Sequence, residues 1–223
     1  MTIQADLELN DLDELGRQME SWTAERIVEW ALHTFGSRIS IAASMADTVL
    51  VHMATKIDPD VEVVFLDTGF HFSETLVTLR RAQSRYRLNL RVERAAPSAP
   101  DLFEVGTDGC CAARKVALLD RALIDKDAWM TGVRRSDAAT RSATSIISRD
   151  SRGLVKVCPL ATWTDEDVDR YVAENDVIVN PLQYEGYASI GCWPCTEPVV
   201  DGEDARAGRW RGSGKTECGL HFS

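Results

Sequence analysis

Val61-Glu62-Val63-Val64-Phe65-Leu66, closed by Asp67-Thr68-Gly69, carries the clearest structural signal in the chain. A short, β-branched, almost wholly apolar run suits a strand buried on both faces of a parallel sheet. Upstream, Arg38–Ala43 (RISIAA) reads as a second buried strand and Asp47–Lys56 as the helix between the two. Further back, Leu12, Leu15, Met19, Trp22, Ile27, Trp30, Ala31 and Phe35 recur mostly at three-to-four spacing, which predicts a broken amphipathic helix or two. Downstream, the pattern predicts a helix from Ser73 to about Arg85, a strand at Leu88–Val92, a helix across Ala112–Ile124 and strands at Ala128–Thr131 and Val155–Pro159. Thr164, with Asp167 three residues on, marks the capped start of a helix reaching about Glu174. Alternating βα units of this kind imply an α/β fold with a doubly wound parallel sheet, whose ligands bind beyond the carboxyl ends of the strands.

Composition narrows the classes. The chain has 223 residues, 44% of them hydrophobic, enough for a real core, and carries 35 Asp+Glu against 25 Lys+Arg for a net charge of −10. That acidity argues against a nucleic-acid or anionic-membrane surface, so any anion has to be met by a local basic pocket. No apolar run approaches the length of a membrane span, and the acidic N-terminus does not read as a secretory signal, so a reducing cytoplasm is expected. In that setting six cysteines point to metal or redox chemistry rather than disulfides. Beyond Asn180 the chain turns glycine-rich and loses its periodicity. The expected division is a helical segment (1–36), an α/β body (37–197) and a flexible tail (198–223).

The cysteines are paired: adjacent Cys110-Cys111, and Cys192-Trp193-Pro194-Cys195 far downstream. Four thiolates suit either tetrahedral zinc or the four irons of a [4Fe–4S] cluster, and adjacency, unusual in zinc knuckles, tilts the reading toward iron–sulfur. Cys218, in Glu217-Cys218-Gly219-Leu220-His221, stands apart as a tail-borne nucleophile. Cys158, inside a strand, reads as a small buried hydrophobe. Arg114-Lys115, Arg134-Arg135, Arg141, Arg206, Arg209 and Arg211 form the basic groups that would hold a phosphate or sulfate, with Arg forks binding oxyanions bidentately. Asp67, Thr68 and Gly69 stand where a nucleotide would sit, and Ser40–Asp47, including Ser44, forms the first strand-to-helix turn. His33, His52 and His71 are read as structural.

Taken together, VVFLDTGFHFSET, CCAARK, WMTGVRRSDAATRS, VCPLATWTDEDVDRYV, NPLQYEGYASIGCWPC, RAGRW and ECGLH, in this order, resemble the assimilatory, thioredoxin-dependent adenylyl-sulfate (APS) reductases, relatives of the PAPS reductases. The resemblance runs from about Ile39 to His221. It implies an adenine nucleotide alpha-hydrolase-like sheet and a [4Fe–4S] cluster on Cys110, Cys111, Cys192 and Cys195. It also implies reduction of APS to sulfite and AMP, through attack by Cys218 and an S-sulfocysteine that thioredoxin resolves. Lys115, Arg141, Arg206 and Arg209 match the residues implied to grip the phosphosulfate, and Asp67, Thr68 and Gly69 the nucleotide-facing turn. The chain departs from the family at the first turn, where Ala43-Ser44-Met45-Ala46-Asp47 replaces a pattern like SGAED.

A PAPS or dual-nucleotide reductase is the same-fold alternative, and a non-catalytic iron–sulfur redox sensor the alternative of another class. A tRNA sulfur transferase would want a glycine-rich pyrophosphate loop and a basic RNA surface, and the sequence has neither. No nucleic acid or membrane partner is expected, while a homo-oligomer is left open.

Overall fold

The computed structural model describes residues 9–200 and 202–220. Its centre is a six-stranded sheet in the order β3-β2-β1-β4-β6-β5. The strands are β1 (Ile39–Ala42), β2 (Glu62–Asp67), β3 (Asn89–Arg94), β4 (Ala128–Met130), β5 (Ile147–Arg149) and β6 (Val155–Val157). Every neighbouring pair is parallel except β5 with β6, which is antiparallel. The chain lays down β1, β2 and β3 outward on one side, then crosses to the other side of β1 for β4. The direction of winding therefore reverses between β1 and β4, and a crevice opens beyond their carboxyl ends.

Around the sheet run α1 (Leu9–Met19), α2 (Ala24–Phe35), α3 (Val49–Ile57), α4 (Ser73–Tyr86), α5 (Leu102–Cys111), α6 (Ala117–Ala122) and α7 (Asp165–Asn175). The amphipathic pattern at the start of the chain resolves into α1 and α2, broken before Thr23, whose side chain accepts from Arg26 N and caps α2. Thr164 and Asp167 form the reciprocal cap of α7. Val63, Val64 and Phe65 of β2 are buried, as a strand covered on both faces requires.

Two elements differ from the sequence reading. The sequence pattern predicts no strand at Ile147–Arg149, where the structure has the antiparallel edge strand β5. The helix expected from Ala112 begins instead at Leu102, capped by Asp101 and Glu104. It kinks at Gly106 (φ 68°, ψ −178°), a conformation open to glycine, and passes through a π-helical turn at Ala112–Val116 before α6. The eight residues before α1, residue 201 and the last three of the chain, including His221 of the ECGLH motif, lie outside the described residues.

Candidate active site

The crevice between β1 and β4 is a cavity of about 450 Å³, room enough for a nucleotide. Its floor is the end of β1 and the following turn, Ile41 to Ser44 with Ala46 and Asp47, and the loop after β4, Thr131 to Arg134. Lys115, Arg141, Arg206, Arg209 and Cys218 complete the wall. The turn after β1 is held from below by Asn180, fully buried, which donates to Met45 O and Thr75 Oγ1. Met45 itself has φ 61° and no exposure, so apolar burial offsets a backbone conformation that ordinarily favours glycine.

A second, much smaller pocket lies beside it, lined by Cys110, Cys111, Cys192, Cys195, Thr68, Phe70, Trp210 and others. Lys115 and Arg209 belong to the walls of both spaces. The end of α5 and the π-helical turn bring Cys110, Cys111 and Lys115 to this junction. The CxxC loop reaches it by bonding to the turn after β2: Trp193 N donates to Phe70 O at 2.8 Å, and Thr68 Oγ1 lies 3.3 Å from Cys192 Sγ.

The tail closes over both. Cys218 packs with Cys111 and Trp210, and Leu220 packs against Trp129 and Leu119. Thr196 and Arg209 form a β-bridge, and Trp210 N donates to Cys195 O at 3.0 Å. Two close approaches make this packing specific to glycine: a Cβ on Gly191 would overlap the Arg209 guanidinium, and one on Gly208 would overlap the Glu197 carbonyl. The guanidinium groups of Arg206, Arg209 and Lys215's ammonium surround the Trp210 ring.

Electrostatically the junction is a set of buried cations with spare donors. The Nε of Arg206 and of Arg209 are buried without a hydrogen-bond partner. Burial lowers the pKa of both side chains, Arg206 to about 10, with the Arg141 charge adding to the effect there. Such groups cost about 1–3 kcal/mol each when left unpaired, a cost that an oxyanion would remove. Burial, and then the nearness of the other cysteines, raises the Cys110 and Cys195 thiols; burial also raises Cys111.

The structure thus brings Cys218, Lys115, Arg141, Arg206, Arg209 and Ser44 to one cavity, and the four paired cysteines to the adjoining pocket. Thr68 faces the cysteine pocket instead of the cavity, Asp67 lies 3.4 Å from Arg94, and Gly69 N donates to Asp67 Oδ1. Cys158 is fully buried in the core, its thiol pushed up to about 11 by burial. His71 is a wall residue of the cavity that sequence reasoning set aside, its Nε2 2.9 Å from Leu66 O. Glu217 was missed as well.

Among the described residues no three Cys, His, Asp or Glu side chains are grouped tightly enough for a single metal ion. The cysteines are all free thiols, and four of them ring one pocket. A four-iron cluster takes one thiolate per iron and spreads them around a cage, so this all-sulfur donor set suits it. A positive metal core would also oppose the burial that raises the Cys110, Cys111 and Cys195 thiols.

Comparison with known proteins agrees with this architecture. Residues 38–198 match the family model described as the phosphoadenosine phosphosulfate reductase domain. The chain is 46% identical over 215 residues to a Streptomyces coelicolor protein named adenosine 5'-phosphosulfate reductase, covering 92% of this chain and 91% of the other. It is 44% identical over 233 residues to a Mycolicibacterium smegmatis protein of the same name, covering 100% and 99%. Among solved structures it resembles a phosphoadenylyl-sulfate (PAPS) reductase from Candida auris, with a TM-score of 0.76 at 26% identity over 88% of this chain and 100% of that one. The chain belongs to the phosphoadenosine phosphosulfate reductase domain family.

Proposed function

We propose that this chain is an oxidoreductase of assimilatory sulfate reduction that converts adenosine 5'-phosphosulfate (APS) to sulfite and AMP. Relatives matched along almost the whole chain carry the name of that activity. The observation that carries the reading is the position of Cys218 in the wall of a nucleotide-sized cavity, among Lys115, Arg206 and Arg209, two of which keep a buried N–H without a partner. Those donors suit the oxyanions of a phosphosulfate rather than an uncharged ligand of comparable size.

In this reading the Cys218 thiolate attacks the sulfonate sulfur of APS. An S–S bond forms as the S–O bond to the phosphate breaks, and AMP leaves with the bonding pair. Lys115, Arg206 and Arg209 offset the repulsion between thiolate and anion and stabilise charge growing on the phosphate oxygen; Arg141 adds its charge from one layer back. A thiolate of thioredoxin then attacks Cys218 Sγ and expels sulfite. The second thioredoxin thiol displaces Cys218 from the mixed disulfide, so the two electrons come from the thioredoxin dithiol. Ser44 and its turn hold the nucleotide end, with Asp67, Thr68 and Gly69 bracing the junction from behind. The described part of the tail, up to residue 220, acts as the moving part, undocking to present the modified Cys218 to thioredoxin, on a body spanning 37–197.

Cys110, Cys111, Cys192 and Cys195 would hold a [4Fe–4S] cluster, which when bound supplies structural anchoring and a fixed local charge. A reducing cytoplasm suits six unpaired cysteines, and no helix among the described residues is long and apolar enough to cross a membrane. The test is the intact mass of anaerobically purified protein exposed to APS, and separately to PAPS, without a thiol reductant. A one-sulfonate gain on Cys218 with APS, reversed by thioredoxin with release of sulfite, is expected. A gain with PAPS alone would move the substrate to that nucleotide; no gain with either, on cluster-loaded protein, would favour a sensor.

A further inference from the structure

Immediately before Cys218 stands one of the two buried acids among the described residues, Asp150 being the other. Glu217 is 9% exposed, and both of its carboxylate oxygens are taken. Arg141 Nε donates to Oε1 at 2.8 Å and Arg141 Nη2 to Oε2 at 2.9 Å, a bidentate pair. Thr140 Oγ1 donates to Oε1 at 3.3 Å, and Arg206 Nη2 to Oε2 at 3.2 Å. Arg141 is tied in turn through Nη1 to Asp137 at 3.1 Å, so the fork is rooted in the loop after β4. The same Arg206 Nη2 also donates to Thr216 O at 3.0 Å, fixing the residue before. One peptide unit separates this anchored side chain from the cysteine.

We propose that Glu217 is a positioning residue for the reaction at Cys218: its carboxylate, gripped by Arg141 and Arg206, latches the tail and sets the sulfur at the cavity wall. The proposal rests on the reading of Cys218 as the nucleophile. The geometry also divides the arginines. Arg141 spends its donors on Glu217 and Asp137, while the unpartnered Nε groups of Arg206 and Arg209 remain for an oxyanion. A role for Glu217 as general base is a poor fit, because its oxygens already accept from guanidinium and hydroxyl donors.

The experiment compares cluster-loaded, anaerobic wild type with Glu217→Gln, Glu217→Asp and Glu217→Ala. Three readouts are taken: alkylation of Cys218 by neutral iodoacetamide without nucleotide, followed by peptide mass; the single-turnover rate of sulfonate formation at saturating APS; and APS affinity. Loosening a charge-assisted pair raises Cys218 alkylation about tenfold in Glu217→Gln. Misplacing the nucleophile lowers the single-turnover rate about 10²-fold. APS affinity changes less than about threefold, since the loss falls on the reacting geometry and not on ground-state binding. Glu217→Asp, which keeps the charge, recovers part of both effects relative to Glu217→Ala. Wild-type alkylation and rate in Glu217→Gln would overturn the latch, as would a loss of rate that saturation with APS restores, or no recovery in Glu217→Asp. Should wild type form no sulfonate at all, the nucleophile reading fails, while the alkylation series still decides whether Glu217 holds the tail.

Discussion

The hydroxyl of Thr68, at the end of β2, lies 3.3 Å from Cys192 Sγ, so the turn after the second strand is stitched to a cysteine loop more than half the sheet's sequence away. Thr68 Oγ1 also accepts from Phe70 N at 3.2 Å, so the hydroxyl ties the turn both to its own backbone and to the cysteine loop. Thr68→Val keeps the shape and removes this bond. It is expected to cost about 1 kcal/mol, or a Tm lower by roughly 2–4 °C, measured on cluster-loaded protein. An unchanged melt would show that the contact contributes nothing.

Gly191 gives the Arg209 guanidinium its space. Gly191→Ala is therefore expected to act at a distance on Arg209, lowering kcat/KM for APS about 10²-fold, as loss of a preorganised oxyanion donor does. Because both changes act through one side chain, Gly191→Ala combined with Arg209→Ala should be scarcely worse than Arg209→Ala alone. Additive losses in that double-mutant cycle would mean that Gly191 acts elsewhere.

The cysteines should separate by role. Cys218→Ser is expected to retain iron, sulfide and the brown absorbance while losing sulfite formation entirely. Cys192→Ser is expected to lose the cluster and much of its thermal stability, because metal binding is coupled to folding. Turnover at the wild-type rate by Cys218→Ser would remove the proposed chemistry.

Glu217 also gives a pH signature. Burial opposes its charge, but the hydrogen bond and charge of Arg141, with the charge of Arg206, outweigh it and hold the carboxyl below its ordinary 4.5. A carboxylate depressed in the folded state adds stability that is full above its unfolded value and lost as pH falls through the folded one. Wild type should thus melt higher than Glu217→Gln at neutral pH, by about 1.5–3 kcal/mol, with the gap closing progressively below pH 4.5. A gap independent of pH would assign the difference to packing.

Much of the sheet could be read in the residues because its inner strands are short, β-branched and flanked by turns, as with Val63, Val64 and Phe65. β5 could not: Ile147-Ser148-Arg149 is brief, half polar and at an edge, so nothing in its pattern demands burial on two faces. The early start of α5 was hidden by Gly106 and Gly109, which depress helix propensity, although Asp101 and Glu104 carry a capping signature. In the site, the chemistry-bearing types stood out by rarity and pairing, the cysteines above all. Glu217 and His71 did not, because one acid in an acidic chain and one histidine beside a strand gain meaning only from what surrounds them. Thr68 was legible as a turn residue, yet its direction, toward sulfur and away from the cavity, depends on a loop brought in from much later in the chain.

The sheet has one more dependence, on its first helix. α1 packs against β5, and a Cβ on Gly16 would stand 3.4 Å from Ile147 Cγ2 and 3.9 Å from Ile147 O, so a side chain larger than alanine there would push the helix off the strand. An exposed edge strand offers unpaired peptide groups to any other chain, and proteins ordinarily shield or charge such edges. The opposite edge, β3, is guarded by Arg91, Glu93 and Arg94, whereas β5 relies on cover. Lifting α1 with a bulky residue at Gly16 would uncover that edge, and light scattering should then show more self-association than in wild type, through added strands.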